Sequence, residues 1–452
     1  MNSKHSQEYS SSESHPSTSL LPSTALPTLG ERFLYGFYGL PLAFVALPVY
    51  VHIPALYAKQ ANLSLGLIGL ILLATRLFDA VLDPWLGTLV DRWHRRLRFS
   101  VLILLASGPL ALGFYWLVSP NTAFPALWLA GSLILTYIAF SSVMILHQSW
   151  GAMLGKSPAA RLAITSMREA LGLLGVIIAA ALPVWLVQRY GQAGWPIMAL
   201  LFTILLIVGS LLLFAVPQST ERTLTVHSPH SYREVLGSPR FRALLLAFVL
   251  NGIAASLPSQ LVVFFIEDVL QAKNYEGVFL ALYFIAGALA MPLWTRLAGK
   301  IGQCQAWIVS MALTILSFIG ALFLGAGDVL AFGMISVATG LALGADLAIP
   351  PAILATVIHT NAHTGAEGRY FGIWSFCTKI NLALAAGLAL PLIAALGYTP
   401  GGNQTAALTL SYCLLPCGFK LMAIWATWRF SSHFPECSTP NFPLRSFQGN
   451  SL

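Results

Sequence analysis

Apolar residues gather into twelve long runs along this chain: 33–57, 65–89, 100–119, 126–153, 169–188, 196–216, 241–267, 276–297, 305–325, 329–356, 370–396 and 405–429. Each comes close to or exceeds the roughly 20 residues that carry a helix across hydrocarbon. The breaks between them are short, except for the polar stretch 217–240. This pattern predicts an all-α polytopic membrane protein whose twelve transmembrane helices form two six-helix bundles, at 33–216 and 241–430. A cytoplasmic linker, 217–240, joins them. Residues 1–32, rich in Ser and Pro at first, read as a disordered cytoplasmic tail, and 431–452 as a second tail. The start is not a signal peptide, because no basic stretch is followed by an apolar core.

Composition agrees. Of 452 residues, 57% are hydrophobic and 9% charged, and the mean hydropathy is +0.76. A soluble domain carries about 25% charged residues. A soluble enzyme, a disordered chain and a nucleic-acid-binding module are therefore excluded. The net charge of +8 matters through its placement. With twelve spans, 17 Lys and Arg residues fall on one side, among them Arg92, Arg95, Arg96, Arg98, Lys156, Arg240, Lys300 and Arg369. The other side holds three, Lys59, Arg189 and Lys273. The positive-inside rule makes the crowded side cytoplasmic, with both termini on it. The five cysteines form no CxxC pattern and read as packed thiols.

Span two holds the costliest residues. In Arg76-Leu-Phe-Asp79-Ala-Val-Leu-Asp83-Pro-Trp-Leu-Gly87, positions 76, 79, 83 and 87 fall within roughly an 80° arc of a helix. One face thus carries an arginine, two carboxylates and a glycine. A charge at the bilayer centre costs about 2.5–3.5 kcal/mol. Asp79 and Asp83 must therefore face a polar interior, and an ion or proton pathway is their default role. Two carboxylates on adjacent turns suit sodium, a hard cation, or a shared proton. The alternative is that Arg76 merely neutralises one of them. Pro84 removes a backbone donor beside Asp83. Beyond it, Gly87-Thr-Leu-Val-Asp91-Arg92-Trp-His-Arg95-Arg96 is a helix end and a basic loop, a candidate cytoplasmic gate made of Gly87, Asp91, Arg92, Arg95 and Arg96.

Other polar residues stand inside spans. His147, beside Gln148 and Trp150, could bond a solute or take a proton, with a packing role as the alternative. Lys379 requires an acidic partner or an anionic ligand. Arg168 and Glu169 are adjacent, about 100° apart, and are not expected to face one another. Asn251 and His52 read as structural, and Asp346 as part of a hinge near Pro350 and Pro351. No GxxxxGK[ST] loop occurs, so ATP is not the energy source.

The Gly87 to Arg96 pattern resembles the loop signature of the major facilitator superfamily. The Arg76 to Gly87 pattern resembles a narrower group, the glycoside–pentoside–hexuronide:cation symporters that include melibiose permease. Further matches are Trp150-Gly-Ala-Met with Arg161 and Arg168, and Ile349-Pro-Pro followed by Glu367-Gly-Arg-Tyr-Phe-Gly-Ile-Trp374 and Lys379. The resemblance implies the major facilitator fold and a cation-coupled symporter, with Asp79 and Asp83 binding the coupling cation, sodium or proton. It also implies Lys379 as their charge partner and Arg168 in the substrate cavity, with His147, Trp150 and Trp374 as further cavity candidates. Ala43 stands where melibiose-type members carry a sugar-binding aspartate, and Leu146 where they carry an acidic residue on helix four. The expected partners are a small solute and the bilayer, with no nucleic acid, ATP or organic cofactor, in what is expected to be a bacterial inner membrane. The solute is a sugar or glycoside by resemblance, with a lysolipid as the alternative and an integral membrane enzyme as a distant one.

Overall fold

The computed structural model describes residues 26–61, 63–217, 231–361, 363–399, 401–402 and 405–431. Residues 1–25 and 432–452 of the two expected tails and 218–230 of the expected linker lie outside them, whereas residues 29–32, expected in the disordered tail, form the start of a helix. The described residues are helical, with no strand among them. The first pass is broken into α1 (Leu29–Gly36), α2 (Gly39–Val51) and α3 (Ile53–Gln60). Thr28 opens it with a capping box: its hydroxyl accepts from Glu31 N at 3.2 Å, and Glu31 accepts from Thr28 N at 2.7 Å. Gly36 and Gly39 flank the first break, and Pro48 and Pro54 flank the second at His52.

The next five passes are α4 (Leu65–His94), α5 (Phe99–Leu117), α6 (Pro125–Leu154), α7 (Pro158–Tyr190) and α8 (Gly194–Phe214). A short helix, α9 (Tyr232–Gly237), ends the linker. The second bundle comprises α10 (Pro239–Phe264), α11 (Glu276–Ile301), α12 (Gln303–Ala321), α13 (Val329–Thr360), α14 (Glu367–Ala395) and α15 (Ala406–Ser431). Ten segments among the described residues are long and apolar enough to cross a membrane, and one of them, Pro158–Phe214, is the α7–α8 hairpin turned at Gly191, φ +56°. Together with the broken first pass this makes the twelve passes of a major facilitator fold.

Two boundaries differ from the sequence reading in ways that matter. Helix α7 begins at Pro158, not 169. Residues 158–168 carry Arg161, Ser166 and Arg168, which hide them from a search for apolar runs. Ser157 caps them by accepting from Ala160 N at 3.2 Å, and Pro158 suits the first turn. Arg168 therefore lies three turns inside the helix, not at its start. The span expected at 370–396 likewise starts earlier, at Glu367, which matters below.

The outer surface is apolar: Phe323 is 82% exposed, Leu127 75% and Trp85 74%. Such a surface is stable only against hydrocarbon. The two bundles meet along α4 with α14, and along α7 with α11 and α13. At the first seam the backbones touch. A Cβ on Gly87 would strike the Gly368 carbonyl, and one on Gly372 the Asp83 carbonyl. Gly368 and Gly372 form a small-xxx-small pair, the device that brings membrane helices together. Among the described residues, the polar contacts between bundles run from mid-helix to the face crowded with Lys and Arg, called here the basic face. The molecule is closed on that face.

Gly372→Val should wedge α4 from α14 while leaving each bundle folded. Overpacking costs about 1–3 kcal/mol, which corresponds to roughly a 5–150-fold shift between closed and open forms. Amide exchange over residues 84–96 should speed up, and exchange within α5 should not.

Candidate functional site

The α4 periodicity brings Asp79 and Asp83 to one buried face, 1% and 0% exposed. Lys379 reaches them from α14 in the other bundle. Its Nζ lies 2.7 Å from Asp79 Oδ1, 2.7 Å from Asp83 Oδ1 and 2.8 Å from Ser141 Oγ on α6. The Ser141 hydroxyl donates to Asp79 Oδ1 at 2.8 Å. The ammonium donates to Asp83 Oδ1, Ser141 Oγ and, at 3.5 Å, the Asp79 carbonyl, with Asp79 Oδ1 in ion-pair contact. Asp83 Oδ2, also buried, has no hydrogen-bond partner. Two carboxylates and one ammonium leave a formal charge of −1. The described ion pairs of both aspartates go to Lys379.

Arg76 sits one turn away, on the side opposite the basic face. Its guanidinium lies 5.9 Å over the Tyr137 ring. With Val45, Ala46, Val49, Thr136 and Phe140 these two residues line a recess. In this closed form the recess has room for little more than a water molecule, and neither aspartate lines it.

Toward the basic face, Asp91 closes the same helix pair. Its carboxylate accepts from Gly368 N at 2.6 Å, Arg369 N at 3.2 Å and Arg369 Nη1 at 2.8 Å. The first two are donors of the opening turn of α14, which have no acceptor in their own helix. An aspartate from one bundle thus caps a helix of the other, where the helix dipole favours negative charge. This contact depends on α14 beginning at Glu367. Of the other gate candidates, Gly87 packs on Gly368, and Arg95 lies beside the Gly365–Glu367 turn. Arg92 and Arg96 are exposed and stand outside the Asp91 contact. The arginine that pairs with Asp91 is Arg369. The second seam uses neutral partners and one arginine: Gln303 donates to the Pro158 carbonyl at 2.8 Å, Arg161 to Thr356 at 3.3 Å, and Ser166 and Thr295 bond at 3.1 Å.

The cavity candidates stand in packed surroundings in this closed form, with His147 Nδ1 buried and without a hydrogen-bond partner. His147 is fully buried; its Nε2 lies 3.0 Å from the Tyr35 carbonyl, Tyr35 Oη donates to the His147 carbonyl at 2.6 Å, and the rings stack at 4.2 Å. It ties the first pass to α6. Trp150 stacks on Phe99, and Trp374 on Phe248 at 3.6 Å. Their apolar faces are spent on packing. Arg168 is paired with Glu169 after all, because its long side chain bends back to the neighbouring carboxylate.

Some partners had no sequence signal. Ser141 is one of several serines in α6, and nothing in the spacing singles it out. Lys420 had one, being a lysine in an apolar run. It pairs with Asp346 at 2.6 Å and donates to Asn251 at 2.7 Å, while Trp307 donates to Asp346 at 2.9 Å.

Comparison with known proteins agrees with this architecture. The family described as MFS/sugar transport protein matches residues 34–432, and the chain belongs to that family. It is 23% identical to the isoprimeverose transporter of Lactiplantibacillus pentosus, over 93% of this chain and 92% of that one. It is 20% identical to the sodium-dependent lysophosphatidylcholine symporter 1-A of Danio rerio, over 79% of this chain and 76% of that one. Among solved structures, a bacterial homologue of the iron transporter ferroportin in an outward-facing state superimposes with a TM-score of 0.70 at 14% identity, covering 90% of this chain and 100% of that one. That likeness concerns the fold.

Asp91→Asn keeps an acceptor for only one side of this contact, puts an NH2 donor where the other oxygen accepted, and leaves Arg369 without its counter-charge. Breaking a buried pair costs about 3–5 kcal/mol, of which one retained hydrogen bond offsets a part. Solute turnover should fall about tenfold or more, with apparent solute affinity changing much less. An unchanged rate would remove Asp91 from the gate.

Proposed function

We propose that this chain is a cation-coupled symporter of a sugar or glycoside, working by alternating access between its two bundles. The basic face is then cytoplasmic, with both termini on it, in a bacterial inner membrane. The observation that carries the reading is the buried cluster Asp79–Asp83–Lys379, which crosses the bundle seam, bears a formal −1 charge and holds an unpartnered carboxylate oxygen. Such a cluster calls for one monovalent cation. The oxygens at hand fit sodium or a proton: the two carboxylates, the Ser141 hydroxyl, and the Ala80 carbonyl, to which Pro84 offers no N–H.

The chain's own residues supply the mechanism. Lys379 holds the first bundle to the second at mid-helix. A cation entering at Asp83 Oδ2 competes for the carboxylates and loosens that tie. Lys379 stays beside the carboxylates, so one cation brings the cluster to neutrality, and the loosened ammonium also donates to a solute oxygen. With the cluster neutral, the bundles separate at the Gly87–Gly368 and Asp91–Arg369 contacts, and the solute leaves toward the cytoplasm. The similarity to an isoprimeverose transporter supports a sugar, and that to a sodium-dependent symporter supports coupling to a cation.

Asp79→Cys and Asp83→Cys should each abolish cation-driven accumulation while leaving the protein in the membrane at normal levels. Full uphill uptake by both would defeat the assignment. A thermal-shift series on purified protein, crossing sugars and lysolipids with sodium and pH, checks the solute. A sugar should raise Tm only when the coupling cation is present. Stabilisation by lysolipids alone would overturn the sugar reading.

A further inference from the structure

The linker ends in a contact that the gate described so far does not use. Ser231 caps α9, accepting from Glu234 N at 3.3 Å. The helix is fastened to the second bundle: Val235 is fully buried, Asn361 donates to Ser238 at 2.8 Å, and the Phe241 and Tyr370 rings meet edge to face at 4.7 Å. From this mount Tyr232 reaches the first bundle. Its hydroxyl donates to the Pro84 carbonyl and bonds Thr88 Oγ1 at 2.8 Å. The Arg369 guanidinium lies 5.9 Å over its ring, within cation–π reach. One side chain thus touches the α4 backbone immediately after Asp83 and also the arginine that holds Asp91. Burial lifts the Tyr232 phenol above its ordinary pKa, so it stays a protonated donor.

We propose that Tyr232 is a positioning residue of the cytoplasmic gate, carrying the state of the Asp79–Asp83 site to the Asp91–Arg369 contact. The inference rests on the alternating-access reading above. While Lys379 holds Asp83, the Pro84 carbonyl stays where Tyr232 can bond it, and the ring keeps Arg369 aimed at Asp91. When the cation loosens the tie at Asp83, α4 shifts at Pro84, where its own hydrogen-bond ladder lacks a rung. The Tyr232 bond is then lost, and Arg369 with it. Helix α9 acts as a strap from the second bundle across the seam.

The amides of Gly368 and Arg369 report on this directly, since their described acceptor is Asp91. Hydrogen exchange at residues 367–370 is measured on the full chain in nanodiscs, with sodium and pH varied. In Tyr232→Phe the ring stays and the hydroxyl goes. Losing its hydrogen bonding should speed exchange there about three- to tenfold, with α5 and α6 unchanged. Thr88→Val removes the Thr88–Tyr232 bond and leaves the one to Pro84, so it should speed exchange less than Tyr232→Phe. The double variant should show little more than Tyr232→Phe alone, because that change already removes both bonds of the hydroxyl. The wild-type response of these amides to the coupling cation should shrink in Tyr232→Phe. Exchange at wild-type rates in both single variants, or strictly additive effects, would overturn the proposal, as would a cation response equal to wild type. The basal measurement needs no solute flux. A wild type that answers to neither sodium nor pH would therefore count against the cation reading while the strap is still judged on its own.

Discussion

An ammonium shared between two carboxylates in a hydrocarbon slab sets the terms for everything else in this molecule. Each charge there carries a cost of a few kcal/mol, so the three groups must find one another. They come from different bundles: Asp79 and Asp83 from α4, Lys379 from α14. Their meeting holds the bundles together at the level where a solute would bind. Because the ratio is two to one, the cluster keeps a formal charge of −1. In the proposed mechanism a single cation balances it, so the contact that holds the seam shut is also the one the cation loosens.

The rest of the α4–α14 seam follows from that position. For Lys379 to reach α4, the two helices must lie close, and only glycine permits backbone-to-backbone contact at Gly87, Gly368 and Gly372. Close approach also puts Asp91 within reach of the first amides of α14, which a longer separation would leave to water. The second seam, along α7 with α11 and α13, has no carboxylate in its described polar contacts. Gln303 stands at the Pro158 carbonyl, and hydroxyls and Arg161 do the remaining bonding. Under the proposed mechanism the first seam is the one that answers to a cation, and the second is its pivot.

Sequence made the spans legible because hydrocarbon imposes a length and a composition. It made the carboxylate pair legible because such residues are costly unless used, and Lys379 for the same reason. Gly87 and Asp91 followed from their place on the same helix. What stayed hidden depended on tertiary placement. The aromatic and histidine candidates, His147, Trp150 and Trp374, carry no mark that separates a cavity wall from a packed seam, and all three proved packed. The amphipathic opening of α7 concealed its true start, and with it the depth of Arg168. Arg369 looked like one more basic loop residue, because only a chain folded so that α14 starts at Glu367 delivers its first turn to Asp91.

The molecule holds a second buried lysine, and the contrast with Lys379 says what separates a brace from a switch. Lys420 meets one carboxylate, Asp346, in a one-to-one pair, and Asn251 and Trp307 complete the bonding of the two. Every member belongs to the second bundle, so rigid-body rocking leaves the pair untouched. The two charges cancel one to one, and the pair braces α10, α12, α13 and α15. Lys379 differs on each count: two carboxylates instead of one, partners across the seam instead of within a bundle, and an oxygen on Asp83 without a partner. A buried charge that is fully matched within one rigid body can only stabilise it. One that is undermatched across two bodies makes their separation depend on whatever completes the match, and that dependence is the physical content of coupling.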